Sequence, residues 1–218
     1  MEILNITNGD FFNDYFLSQS GGAAVPFCEV MMDGKTVAAI YSEEFISLRS
    51  QQLHVSEKEY RSKMQVYDVF NDKNIRFSEL HLWFGKDTFC QMNLLTLLAY
   101  LEQIGYDGKI LWNAIDDETF KILEKDIPIT LGLYQRLYEE ILIEKHQPQA
   151  LGVLDENAIR LYFDYHDNDG ILSRMVKENP HMDDMQLICL LLRESVAYGL
   201  SDLQAEQLIK KHRQKKRM

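Results

Sequence analysis

The chain has 218 residues, 46% of them hydrophobic and 26% charged, enough to close a packed core and to exclude global disorder. Its formal net charge of −11 disfavours nucleic acid over most of the surface. No apolar run approaches the ~20 residues a bilayer span requires, so no membrane association is expected.

The segment Ile3–Thr7 has a short strand pattern and ends at Asn8-Gly9-Asp10, a strong turn signal. Phe11–Ser18 follows as a helix with aromatic residues on one face, and Gly21-Gly22 breaks it. A second strand is expected within Ala23–Val30, at a sheet edge because of Pro26. After the turn at Asp33-Gly34, a helix is expected over Val37–Gln52. Ser56 and Glu59 form a Ser-x-x-Glu capping box that opens another helix, running to about Phe70. Leu80–Phe84 is a third strand. Thr88–Ile104 is a long helix, apolar around most of its circumference and therefore covered on several sides. Lys109–Ile115 is a fourth strand, and Asp116-Asp117-Glu118 is expected to begin a helix, with acidic residues at its positive end.

From Asp126 onward the pattern is helical throughout. Segments Ile129–Lys145 and Asp155–Tyr165 are followed by Asp183–Ala197 and Ser201–Arg213, the last two opened by the boxes Asp183…Gln186 and Ser201…Gln204. Strands alternating with helices predict an α/β fold with a mostly parallel, Rossmann-like sheet over residues 1–125, and an all-helical part over 126–218.

The Asn8-Gly9-Asp10 turn, Asp33-Gly34 and the central Leu82-Trp83-Phe84-Gly85-x-Asp87-x-Phe89-Cys90-Gln91 together resemble a bacterial domain-of-unknown-function family. Its members open with a strand ending in Asn-Gly-Asp. They also carry a Trp-Phe, an Asp, an aromatic residue and a Gln at the head of an apolar helix. The resemblance covers roughly residues 3–125. It implies a bacterial source, an α/β N-terminal domain and shared polar positions at Asn8, Asp10, Asp87 and Gln91, and it carries no activity. Many members look to have His at the position of Gly85 and Asp at that of Cys90.

The chemistry-bearing residues sit where strands turn into helices, which is where α/β sheets bind ligands. Asn8-Gly9-Asp10 suits an anion or a sugar hydroxyl there, and Asp10 is also placed to cap the following helix. Asp87 and Gln91 lie four apart on one helix face. Asp87 is the natural cap, which leaves Gln91 to face the sheet edge or a ligand. Cys90, in the first helical turn, lacks a nearby His partner and reads as a small buried hydrophobe. No Gly-x-Gly-x-x-Gly, Gly-x-x-x-x-Gly-Lys-Ser/Thr or Gly-x-Ser-x-Gly signature occurs. Asp164, Asp167 and Asp169 before Gly170 fail the calcium-loop spacing, because Tyr165 and Val176 fall where acids are required.

The three cysteines (Cys28, Cys90, Cys189) are widely spaced, with no Cys-x-x-Cys pair. Neither a disulfide framework nor a metal site is expected. With no basic and apolar leader after Met1-Glu2-Ile3, the expected location is the cytoplasm.

Lys210, Lys211, Arg213, Lys215, Lys216 and Arg217 crowd the last nine residues, and without them 17 basic residues face 34 acidic ones, a balance of −17. That tail offers the one footing for nucleic acid, or a solvated helix end. The last two helices superficially resemble helix-turn-helix, but the reading helix would begin with acids, Asp202 and Glu206.

The expected function is a small-molecule-binding or regulatory module at the sheet edge, with candidate ligand residues Asn8, Asp10, Asp33, Asp87, Gln91 and Arg49. Two alternatives stand beside it. One is an enzyme acting on a phosphorylated or nucleotide-like substrate, with Asp10 or Asp87 as base or metal ligand and Arg49 or Arg61 as anion clamp. The other is a transcriptional regulator binding DNA through the C-terminal helices. The sequence names no cofactor and no oligomeric state.

Overall fold

In the computed structural model, residues 2–20, 22–71 and 76–214 are described. They contain a five-stranded sheet in the order β2-β1-β3-β4-β5. Strands β1 (Ile3–Asn8), β2 (Ala24–Phe27), β3 (Glu79–Gly85) and β4 (Lys109–Ile115) run parallel, and β5 (Ile122–Ile129) pairs antiparallel with β4. The fold is α/β.

Register follows the alternation of side chains. Leu4, Leu80 and Ile110 lie side by side, as do Ile6, Leu82 and Trp112, and all six are buried on one face. Asn5, His81 and Leu111 form a row on the opposite face, followed by Thr7, Trp83 and Asn113. Helix α1 (Asp10–Ser20) covers the Trp83 face, with the Phe16 ring 5.1 Å from the Trp83 ring. The other face carries Phe27 and Phe84. There Tyr67 of α4 (Gln65–Asn71) meets Phe27 edge-on at 5.8 Å. Helices α2 (Glu43–Gln52) and α3 (Glu57–Lys63) precede α4, and α5 (Thr88–Gln103) is buried from Cys90 through Leu101.

Two compact units emerge, one comprising 1–86 and 90–154, the other 87–89 and 155–218. The expected boundary at 125/126 falls inside β5, and the second unit's main segment instead starts at Asp155. The second unit is helical, with α7 (Glu156–His166), α8 (Ile171–Glu178), α9 (Asp184–Glu194) and α10 (Asp202–Gln214). The boxes Ser56–Glu59 and Asp183–Gln186 both close. Among the described residues no helix is long and apolar enough to cross a membrane.

Three local expectations are corrected. The acidic run at 116–118 starts a turn, not a helix. The Asp116 carboxylate accepts from Thr119 N (2.8 Å) and Thr119 Oγ1 (2.6 Å), and the chain reverses into β5. That strand escaped notice because it is a mostly exposed edge, with Glu124, Lys125, Asp126 and Pro128 in place of apolar alternation. Charges and Pro are how edge strands resist further pairing. Helix formation expected from Val37 begins only at Glu43, capped by Ser42, and the helix expected over 56–70 breaks at Met64. Within 129–145, α6 (Tyr134–Tyr138) passes into a π-helical turn, Glu139–Ile143. The free N–H groups at the start of α6 converge on Glu102, whose Oε1 accepts from Leu133 N (2.7 Å) and Tyr134 N (2.9 Å) and whose Oε2 accepts from Gln135 N (2.8 Å).

Candidate functional site

In this strand order the chain goes outward from β1 to β2, returns across β1 to β3, and then continues to β4. The direction of winding reverses between β1 and β3, and it is outside the carboxyl ends of the strands at such a switch point that α/β sheets bind ligands. Four strand ends deliver polar groups there, and all four belong to the first unit.

A chain of side-chain hydrogen bonds runs along this edge. Asn93, buried in α5, donates through Nδ2 to the Glu29 carbonyl (2.6 Å) and to Asn8 Oδ1 (3.0 Å), and its Oδ1 accepts from Met31 N (3.1 Å). Asn8, at the end of β1, donates through Nδ2 to Cys90 Sγ (2.8 Å), and the Cys90 thiol meets Asp117 Oδ2 at 2.6 Å. Segments following β2, β1, β3 and β4 are thus joined through four side chains. A part-buried network of this kind, anchored on buried Asn93 and Cys90, holds its members rigidly. Asp117 is its exposed end.

A second group lies beside it. Gly9 has φ +82°, a turn conformation that glycine adopts freely, and its carbonyl accepts from Asn13 N (3.3 Å). Asp10 is therefore the first helical residue and not the cap. Its carboxylate accepts from Lys63 Nζ (3.1 Å) and from the Cys28 thiol (3.3 Å). The Lys63 bond holds the Asp10 carboxyl below the usual range. Burial, and then the Asp10 carboxylate, push the Cys28 thiol up to about 12, so it is no nucleophile at neutral pH.

The remaining candidates are committed elsewhere. Gln91 is buried and donates to the Gly85 carbonyl (2.7 Å), tying α5 to the end of β3. Arg49 is 1% exposed. Its Nη1 donates to the Asp33 carbonyl (2.9 Å), and its Nη2 to the Val30 carbonyl (2.9 Å) and to Glu29 Oε2 (3.2 Å). Tyr60 also donates to Glu29. Asp33 meets Arg49 through its backbone carbonyl, and Arg49, buried and paired with Glu29, forms no accessible anion clamp. Arg61 pairs with Glu43 at 2.6 Å. Asp87 precedes α5 in the second unit, where a β-carbon at Gly199 would lie 2.1 Å from its carboxylate.

The structure thus brings Asn8 and Asp10 to the edge and takes Gln91 and Arg49 into the scaffold. Sequence reasoning missed Asn93, Glu29 and Asp117 as participants. Asn93 had one signal, shared with Gln91 and Thr96: a polar residue inside a long, mostly apolar helix.

In the second unit, Arg213 pairs with Asp184 and Lys210 with Glu206 (2.7 Å), so these tail charges are matched. Lys215, Lys216 and Arg217 lie outside the described residues. No protein-family model matches the chain, and no curated protein or solved structure matches it.

Proposed function

We propose that this chain is a cytoplasmic bacterial small-molecule-binding or regulatory module, with its ligand at the carboxyl edge of the sheet between β1 and β3. The observation that carries this reading is the Asn93–Asn8–Cys90–Asp117 chain of hydrogen bonds. Such chains preorganise polar groups on rigid elements, which is what a binding site requires. Asp10 and Asp117 present carboxylates, while Arg49 and Arg61 are engaged by Glu29 and Glu43. The arrangement therefore favours a ligand rich in hydroxyl or amino groups over a phosphorylated one, because a phosphate would meet like charge without a clamp.

The test is a thermal-shift screen with sugars, amines, amino acids, nucleotides, sugar phosphates and divalent metals. A ligand at ~100 times its dissociation constant adds roughly 2.7 kcal/mol of stability. The expected result is a hit that Asp117→Asn abolishes. No shift with any compound, or a shift that Asp117→Asn leaves intact, removes the basis for the reading.

A further inference from the structure

We infer that the ligand of this edge is a small organic cation, a methylated ammonium being its simplest form, received on an aromatic surface built from α1 and the β4–β5 turn. The inference rests on the ligand-site reading above and specifies the chemistry of that same site.

The surface begins with Phe120, which follows Asp117 in the turn and has φ +57°. A phenylalanine seldom adopts that left-handed conformation, and strain of this kind concentrates at functional positions. Here it brings the ring onto α1, with centroids 5.3 Å from Phe11, 5.2 Å from Phe12 and 4.7 Å from Tyr15. The rings form two layers. Phe12 is 5% exposed and rests on Trp83 at 6.4 Å, which accounts for it as core. Phe11 is 78% exposed and Tyr15 42%. Hydrophobic packing explains the lower layer and leaves the upper one unexplained.

The charges around the upper layer indicate what would cover it. The turn contributes Asp116, Asp117 and Glu118, and α1 contributes Asp10 and Asp14. Lys63 and Asp10 offset one another as an ion pair, which leaves Lys121 against Asp14, Asp116, Asp117 and Glu118. Aromatic faces are electron-rich and attract cations, and the surrounding carboxylates add to the same field. An anion is repelled by both features. A neutral hydrocarbon gains the ring contact and none of the electrostatics. The rings touch one another in a platform, so the cation stacks on them from the solvent side.

The test titrates the full chain, labelled with nitrogen-15, with choline and separately with 3,3-dimethyl-1-butanol, its neutral isostere, following backbone amide shifts. Choline is expected to move the amides of 10–15 and 116–121 and to bind about two- to fivefold tighter than the alcohol, the range expected from one exposed cation–π contact. Phe11→Ala, at an exposed position, and Phe120→Gly, which suits a positive φ, both keep the fold and are expected to weaken choline binding severalfold. Equal affinity for the two probes, or choline binding unchanged in both variants, overturns the inference. If no cation binds but another compound still gives an Asp117-dependent melting shift, the ligand class is wrong and the edge site stands. If neither occurs, both fall.

Discussion

Replacing Arg49 with methionine separates a structural from a binding role for this residue. Its guanidinium is 1% exposed and holds Glu29, itself 1% exposed, together with the Asp33 and Val30 carbonyls and Gln52 Oε1 (3.2 Å). Burial and the facing Glu29 push the Tyr60 phenol far above its ordinary range, so it stays protonated and donates to that carboxylate. Methionine fills much of the arginine stem but leaves Glu29 as a buried carboxylate with one neutral donor side chain. Breaking a buried pair on one side costs about 3–5 kcal/mol. For a chain of this length that corresponds to a melting temperature lower by roughly 6–20 °C. The assay is urea unfolding followed by circular dichroism, with thermal melts alongside. Removing both charges in Glu29→Leu/Arg49→Met is expected to recover roughly half of the loss, because no lone buried charge remains. The reasoning is refuted if Arg49→Met lies within ~1 kcal/mol of the parent. If that variant also lost its response to a phosphorylated ligand, Arg49 would be an anion clamp after all.

Glu102→Gln is expected to cost about 1–2 kcal/mol, because one amide oxygen cannot serve every N–H at the start of α6 and its NH2 faces a donor. Burial raises the Glu102 pKa, but the four backbone hydrogen bonds from 132–135 together overcome it and hold the carboxyl below its ordinary 4.5. The stability this carboxylate contributes is therefore fully present above that value and lost as pH falls through the folded one, so parent and variant should converge in acid melts. A gap that persists or widens there would contradict this account. Thiol reactivity gives another test. Cys189 is exposed, Cys90 is buried, and Cys28 is pushed up to about 12. The native protein at pH 8 should show one fast thiol with a disulfide reagent, and Cys189→Ser should remove it. A fast phase that survives that substitution and is lost in Cys28→Ser would show that the Asp10–Cys28 pairing is wrong.

Much of the framework was legible in the sequence, because it depends on local rules. Gly9 and the apolar runs at 3–7, 80–84 and 109–115 announce parallel strands and their turns. The Ser56 and Asp183 boxes announce helix starts through side chains that reach only three residues. Asp116 misled the reading because an acid before a polar run serves a helix start and a tight turn equally well, and the choice rests on β5 finding β4. Only the tertiary structure decided which polar residues share the edge. Asn8 and Cys90 are 82 positions apart, and Asn93 and Glu29 are 64 apart. Their meeting is set by strand order, which periodicity does not encode. Arg49 shows the same limit, since an arginine looks alike in sequence whether it clamps an anion or anchors a buried glutamate. Burial separates the two roles, and burial is a property of the packed chain.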